Sequence, residues 1–138
     1  MKEELVILLV EDDEFDADMT IMALKKAKVP HRIVWLKTGQ FLLDYLLSHP
    51  TDSISLVLMD INMPQISGLE ALQIVRARGY TALPVVMLTS SNRPEEIQAC
   101  YDHGCNSYVT KPVKTKDFQE AVMQLGLYWT EFNQLPSE

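Results

Sequence analysis

The sequence predicts an α/β fold, a doubly wound parallel sheet of five strands in three layers, with helices on both faces. Two observations favour this class. Short apolar runs alternate along the 138 residues with segments of helical periodicity. One of these runs, 56–59, is apolar at every position, which is typical of a strand buried on both faces of a parallel sheet. Strands and helices that alternate in this way are joined by right-handed crossovers.

The first half of the chain predicts two strands and two helices. The apolar run 5–10 predicts the first strand, and apolar residues recur at helical spacing after it. Lysines close this first helix at its negative end, and Pro30 stops it. The run 33–36 predicts the second strand. A second helix then begins at Thr38-Gly39 and carries Phe41, Leu42, Tyr45 and Leu46.

The second half continues the alternation. Residues 56–59 form the predicted central strand, the apolar run 85–88 predicts the fourth strand, and the segment 107–109 is the predicted fifth strand. Pro is favoured in the first turn of a helix and Gly just after its end. The last three helices are predicted to run from Gly68 to Gly79, from Pro94 to Gly104, and onward from about Thr115.

Composition indicates one globular domain and excludes several classes of protein. Hydrophobic residues make up 47% of the chain and charged residues 22%. Nineteen acidic and twelve basic residues give a net charge of −7, which argues against nucleic acid or an anionic membrane as a direct partner. The start, MKEEL, is not a signal peptide, and no apolar run approaches the ~20 residues of a membrane helix. We therefore expect a cytoplasmic protein whose Cys100 and Cys105 stay reduced.

Polar residues follow four of the five predicted strands, where parallel sheets bind their ligands. Glu11 and Asp12 follow the first strand, Asp60 the third, Thr89 the fourth and Lys111 the fifth. Clustered carboxylates repel one another unless a cation joins them, and an oxygen-rich site of this kind suits Mg²⁺. A lysine can hold a phosphate, and a hydroxyl can donate to it. Together these groups predict a phosphoryl-transfer site.

Each feature also has a plainer interpretation. Acidic residues 11–14 would favour a helix dipole, Thr89-Ser90-Ser91 would cap a helix, and Lys111 would be a surface lysine. Taken singly, each of these is the more common case. Because the features all fall at the same end of four strands, the joint prediction of a site is favoured.

Four segments of the sequence resemble the receiver domain of two-component response regulators, the CheY-like fold. They are 9–13, 59–64, 87–90 and 108–112. The resemblance extends over about residues 5–125. It implies a flavodoxin-like sheet with strand order 2-1-3-4-5. It also implies a single receiver domain over 1–138 that has no output domain of its own, with 126–138 as a C-terminal extension.

The same resemblance assigns roles to the phosphoacceptor and the metal ligands. Asp60 is expected to accept a phosphoryl group from the phosphohistidine of a histidine kinase. Glu11 and Asp12, together with Asp60 and the backbone carbonyl of Asn62, are expected to hold Mg²⁺ or Mn²⁺. Glu11 replaces an Asp common in relatives. The protein would then be no enzyme beyond catalysing its own phosphorylation and dephosphorylation.

The phosphoryl-binding and switching residues follow from the resemblance as well. Thr89 and Lys111 are expected to bind the phosphoryl group. Tyr108 is expected to turn inward when Thr89 is drawn to it. The Lys111–Pro112 peptide bond is expected to be cis. Ser90 replaces a commonly seen Ala and would affect access to the phosphoacceptor.

The end of the chain predicts a dimer interface. Apolar residues keep the spacing of one helical stripe, and a helix from Thr115 to Phe132 would extend past the sheet. The predicted interface comprises Phe118, Val122, Leu125, Trp129 and Phe132. Two alternatives stay open: Gly126 ends the helix, or the YWTEF segment folds back on its own core. The tail, ending in Leu135-Pro136, resembles that of single-domain regulators associated with bacterial phytochromes, which implies a homodimer and a phytochrome-type kinase partner.

Other functions fit the residues less well. A haloacid-dehalogenase-type phosphatase needs an Asp at position 62, where Asn stands. The acidic first loop would repel the phosphate of a flavodoxin-like carrier. Cys100, His103 and Cys105 have no fourth metal ligand nearby. A dimeric scaffold of the same fold that is never phosphorylated is the remaining alternative.

Overall fold

Five strands form one parallel sheet in the order β2-β1-β3-β4-β5, as predicted. The structure is a computed structural model that describes residues 5–134. The strands are β1 (Val6–Val10), β2 (Arg32–Leu36), β3 (Ile54–Met59), β4 (Val85–Thr89) and β5 (Ser107–Thr110). The central strand β3 lies between β1 and β4, and all six of its residues are buried. The wholly apolar run therefore marks the middle of the sheet.

The described residues contain five α-helices, and they begin where the punctuating residues predict. They are α1 (Glu14–Lys26), α2 (Gly39–Ser48), α3 (Gly68–Ala77), α4 (Pro94–Asp102) and α5 (Thr115–Leu127). A short 3-10 turn, Thr51–Ser53, precedes β3. Three N-termini are closed by side chains that accept backbone hydrogen bonds, those of Asp13, Thr38 and Ser67. None of the helices in residues 5–134 is long and apolar enough to cross a membrane.

The sheet separates two apolar layers. Successive strand residues point to opposite faces, so Val6, Leu8 and Val10 pack with α2, α3 and α4. Ile7 and Leu9 pack on the other side with α1 and α5. This three-layer arrangement leaves the carboxyl ends of the strands open at one edge.

The helical path does not stop at Gly126. The residue lies inside α5, and a π-helical turn, Tyr128–Phe132, continues the path. A Cβ at Gly126 would lie 2.6 Å from Cδ2 of Leu24 and 3.1 Å from Cγ2 of Val29. The glycine therefore lets α5 approach α1 closely, and the prediction that it ends the helix is wrong.

The predicted dimer interface needs correction at two positions. Phe118 and Val122 are 7% and 0% exposed, because the first half of the stripe faces the sheet. Leu125 and Trp129 are half-buried against the same layer, while Phe132 is 70% exposed. The alternative that the segment folds onto its own core is therefore correct for Trp129. The Leu135-Pro136 end of the tail lies outside the described residues.

The peptide bond between Lys111 and Pro112 also differs from the prediction. Every peptide bond within residues 5–134 is trans, so the expected cis bond is absent there. The trans form is the more stable X–Pro isomer by about 0.5–1 kcal/mol. The Lys111 N–H donates to the Thr89 carbonyl at 2.7 Å, which extends strand pairing up to the proline.

One arginine forms hydrogen bonds to three segments at the edge of the sheet where the strands begin. The Arg76 guanidinium on α3 donates to the carbonyl oxygens of Tyr80 and Leu83 at 2.6 and 2.7 Å. It also donates to the Gly104 carbonyl at 2.7 Å and to Oδ1 of Asn106 at 3.0 Å. The planar fork thus links the end of α3, the start of β4 and the turn before β5.

Replacing this arginine should destabilise the fold. We expect Arg76→Met to lower the free energy of unfolding by about 2–4 kcal/mol, because several partly buried oxygens lose a charged donor. Urea denaturation measures this change. Arg78→Met is the matched control, since Arg78 is exposed two residues later in the chain. Equal stability of the two variants would contradict the structural role of Arg76.

Candidate functional site

The polar residues singled out in the sequence do leave the same edge of the sheet. Glu11 follows β1, Asp60 follows β3, Thr89 ends β4 and Lys111 follows β5. Backbone hydrogen bonds keep these ends together: the Asp60 N–H donates to the Val10 carbonyl at 3.1 Å. The convergence follows from parallel pairing, which aligns the carboxyl ends of neighbouring strands.

Three carboxylates form an oxygen-rich cluster at this edge. One ligand atom from each of Glu11, Asp12 and Asp60 lies within 4.8 Å of the other two. Glu11 and Asp60 are buried, whereas Asp12 is exposed and leaves the cluster open to solvent. Mg²⁺ prefers carboxylate oxygens and keeps several waters, so this donor set fits it. The carbonyl of Asn62 stays a predicted ligand.

A buried lysine neutralises part of this negative charge. The Lys111 Nζ donates to Glu11 Oε1 at 2.7 Å and to Asp60 Oδ2 at 3.1 Å. It also donates to Asp16 Oδ2 at 2.8 Å. The side chain of Lys111 is only 8% exposed, so these charged contacts are screened little by solvent. The predicted phosphoacceptor and the predicted phosphate-binding lysine are therefore in direct contact.

The charges in this cluster perturb two pKa values. Burial and the nearby Asp60 carboxylate together raise the pKa of Glu11 to about 7, against the opposing hydrogen bond from Lys111. For Lys111, burial alone would lower the pKa. The hydrogen bonds to Asp16 and Glu11 outweigh burial, so its pKa lies above the ordinary value and the amine stays charged. The cluster thus favours an added cation near Glu11 and keeps one beside Asp60.

Backbone N–H groups bind the second carboxylate oxygens of Glu11 and Asp60, and an indole binds the backbone of Glu11. Asp60 Oδ1 accepts from the N–H of Asn62 at 3.1 Å. Glu11 Oε2 accepts from the N–H of Asp13 at 3.2 Å. Trp35 Nε1–H donates to the Glu11 backbone carbonyl at 2.8 Å, which places a fluorescent side chain beside the site. These contacts orient both buried carboxylates.

The two predicted switch residues meet at one loop. Thr89 is fully buried, and its Oγ1 accepts a long hydrogen bond of 3.5 Å from the N–H of Ser91. The Tyr108 hydroxyl donates to the Ser91 carbonyl at 2.8 Å. Ser91 therefore connects the end of β4 to the aromatic ring on β5.

The family follows from this fold and this cluster together with a direct comparison. A family model described as the response regulator receiver domain matches residues 7–123. This chain belongs to the response regulator receiver family. Receiver domains accept a phosphoryl group on an aspartate and bind Mg²⁺ or Mn²⁺ at an acidic pocket. The carboxylate cluster of this receiver domain provides such a pocket.

Individual relatives cover nearly the whole receiver domain. It is 36% identical to the probable methanogenesis regulatory protein FilR2 of Methanothrix harundinacea, over 95% of this chain and 87% of that one. It is 31% identical to the response regulator Rcp1 of Synechocystis, over 96% and 93% of the two chains. The phosphorylated cyanobacterial phytochrome response regulator RcpA superimposes with a TM-score of 0.88 at 29% identity, covering 98% of this chain and 100% of its own. The Mn²⁺-bound form of Rcp1 superimposes with a TM-score of 0.86 at 29% identity, covering 96% of this chain and 99% of its own.

Two residues at the site were missed in the sequence. Asp16 contacts the lysine, and Trp35 contacts the backbone of Glu11. A weak signal for Asp16 exists, because it belongs to the acidic run that follows β1 and lies in the first turn of α1. Trp35 carries no such signal, since only strand pairing brings β2 beside β1.

Gly68, the first residue of α3, lies against the backbone of Asp60 and Ile61. A Cβ at Gly68 would lie 2.2 Å from the carbonyl oxygen of Asp60 and 2.8 Å from the Cα of Ile61. Both neighbours are backbone atoms and cannot rotate away. The start of α3 therefore packs directly on the residue that follows β3.

The variant Gly68→Ala should disturb both the fold and the metal site. We expect its free energy of unfolding to fall by about 1–3 kcal/mol and its Mg²⁺ affinity to weaken, because the Asp60 backbone must shift. Urea denaturation and a Mg²⁺ titration followed by tryptophan fluorescence measure these effects. Gly79→Asn is the control: its positive φ of 96° strains a side chain and lowers stability too, but nothing lies within 4 Å of its Cβ position, so its Mg²⁺ affinity should stay that of the wild type. Unchanged Mg²⁺ affinity in Gly68→Ala would contradict the coupling.

Proposed function

We propose that this receiver domain accepts a phosphoryl group on Asp60 from a sensor histidine kinase, in a Mg²⁺-dependent reaction, and thereby switches the binding of a partner. The observation that carries the proposal is the contact of 3.1 Å between the Asp60 carboxylate and the Lys111 ammonium, beside two further acidic side chains. A nucleophile, a fixed cation and an oxygen-rich metal pocket are the parts that phosphoryl transfer requires.

The chemistry assigns a separate task to each side chain. An Asp60 oxygen attacks phosphorus, the P–N bond of the phosphohistidine breaks, and the imidazole leaves. Glu11, Asp12 and Asp60 would hold Mg²⁺, which when bound neutralises charge on the phosphoryl oxygens. Lys111 supplies a second positive charge at the same place. Asn62 and Thr89 complete the site, one through its carbonyl on the metal and one through its hydroxyl on the phosphoryl group.

The switch follows from the charge that phosphorylation adds. A phosphoryl group brings about −1.5 to −2 charges and three strong acceptor oxygens. To donate to it, Thr89 must leave Ser91, whose carbonyl holds the Tyr108 hydroxyl. The loop after β4 and the ring of Tyr108 would then rearrange together, altering the surface of α4, β5 and α5.

The surface beside Lys111 suits a protein phosphodonor. Phe15 and Val113 are 66% and 102% exposed on either side of a cavity of about 230 Å³, which Lys111 and Met19 also line. Exposed apolar groups of this kind mark protein contacts. A phytochrome-type kinase in the cytoplasm is the donor that we propose, because RcpA is described as a phytochrome response regulator. The match to Rcp1 extends over 93% of that relative, so the receiver domain accounts for nearly the whole length of Rcp1.

Intact-protein mass spectrometry tests the phosphoacceptor. After incubation with acetyl phosphate and Mg²⁺, the wild type should gain one phosphoryl group, and Asp60→Asn should gain none because the nucleophilic oxygen is gone. Asp52→Asn is the matched control and should behave as the wild type, since Asp52 is exposed in the 3-10 turn. If the wild type forms no adduct with either Mg²⁺ or Mn²⁺, the unphosphorylated scaffold becomes the better description.

We further propose that the exposed part of the C-terminal stripe pairs with a second copy of the chain. Leu125, Tyr128 and Trp129 line a groove that Val109 of β5 also borders. Phe132 ends the π-helical turn that contains Tyr128 and Trp129, and it is 70% exposed. A symmetric contact would bury the phenylalanine of each copy in the groove of the other. This face includes β5, so dimerisation and the Tyr108 switch would be linked.

Sedimentation velocity tests the proposed dimer. We expect Phe132→Ser to weaken self-association about tenfold or more, because buried aromatic anchors carry much of the energy of an interface. Phe41→Ser is the control, since Phe41 is also exposed but lies on α2, which packs on the other face of the sheet. A wild type that stays monomeric at high concentration, with or without phosphorylation, would contradict the dimer.

A further inference from the structure

The three donors of the Lys111 ammonium meet three different carboxylates in the described part of the chain. Two of them, Glu11 and Asp60, belong to the metal-binding cluster, and the third, Asp16, does not. A lysine has three N–H donors, so these contacts use all of them. The lysine is therefore held between the metal pocket on one side and helix α1 on the other.

Asp16 is placed so that its side chain is free for this contact. It lies in the first turn of α1, where its backbone N–H is already bound by the Asp13 cap at 2.8 Å. Its carboxylate reaches Lys111 at 2.8 Å and is about one-third exposed, at 34%. Asp16 also lines the cavity beside Phe15 and Val113. The contact thus lies at the rim of the site, next to the surface from which a phosphodonor would arrive.

The two other carboxylates have competing tasks during the reaction. The Glu11 carboxylate would have to bind both the Lys111 ammonium and a metal ion. Asp60 would have to direct an oxygen towards phosphorus. Neither can hold the ammonium throughout. Asp16 has no such task, so it is the partner that can keep Lys111 oriented when the other two are engaged.

We propose that Asp16 is a positioning residue for the phosphoacceptor reaction and holds the Lys111 ammonium where the incoming phosphoryl group is neutralised. The proposal rests on the proposed function of Asp60. It assigns Asp16 no contact with the metal or with the phosphoryl group. Its effect passes through Lys111 alone.

Kinetics with acetyl phosphate at saturating Mg²⁺ test this role. Asp16→Asn should lower the phosphorylation rate constant about five- to tenfold, the value of one charged hydrogen bond at a partly exposed site. The Mg²⁺ concentration that gives half the maximal rate should not change. Glu14→Gln is the matched control, because it removes an acidic charge from the same first turn without a contact to Lys111. A rate equal to or above that of the wild type would overturn the proposal, as would a shifted Mg²⁺ dependence.

A double variant separates positioning from a general effect on the helix. In a Lys111→Met background, Asp16→Asn should cause no further loss of rate, because the group that it orients is gone. Thermal unfolding of each variant shows whether it is folded. Additive losses in the double variant would mean that Asp16 acts by another route, and the proposal would be wrong.

A spectroscopic measurement on the metal-free protein is independent of phosphorylation. With ¹⁵N-labelled lysine, the Lys111 ammonium should give a protected N–H signal, assigned by its loss in Lys111→Met. Asp16→Asn should broaden or remove this signal, whereas Glu14→Gln should keep it. If the wild type takes no phosphoryl group but the signal behaves in this way, the function proposed for Asp60 fails while the contact stands. If the signal survives in Asp16→Asn, the positioning role fails alone.

Discussion

Ion pairs between one buried ammonium group and three carboxylates hold together the edge of the sheet at which the strands have their C-terminal ends. Lys111 lies within hydrogen-bonding distance of Glu11, Asp16 and Asp60, and it comes from the strand furthest from Glu11 along the β1-β3-β4-β5 order. Without that charge, buried carboxylates this close together would be costly to keep ionised. The lysine therefore stabilises the convergence of carboxylates on which the proposed phosphoryl transfer depends.

The same ion pairs leave the site ready for a cation. The pKa of Glu11 is raised mainly by burial and also by the Asp60 carboxylate, so the Lys111 ammonium compensates the cost of the buried negative charge only in part. A divalent cation at the exposed Asp12 side would complete the compensation. In the proposed reaction, phosphorylation would then add negative charge at the same edge, and the groups that would respond, Thr89 and Lys111, lie at the ends of the last two strands. The fold thereby connects local electrostatics to the surface formed by α4, β5 and α5.

Close packing at two glycines fixes helices on both faces of the sheet. Gly68 brings the start of α3 against the carbonyl of Asp60, and Gly126 brings α5 against Leu24 of α1. The second contact places the first half of the apolar stripe 118–132 in the core of the monomer. Only the end of the helical path, around Phe132, is left for another surface.

The sequence by itself determined the alternation of strands and helices, the central strand and the family. Apolar runs and their Pro and Gly boundaries are local signals, and the carboxyl ends of parallel strands must meet, so Glu11, Asp12, Asp60, Thr89 and Lys111 could be assigned to one edge in advance. Only the tertiary structure decided which acidic side chain of α1 reaches the lysine, because Asp13, Glu14 and Asp16 look alike until the helix is placed against β5. It also decided which face of α5 is buried, since the apolar spacing is the same whether a stripe packs on its own sheet or on another chain.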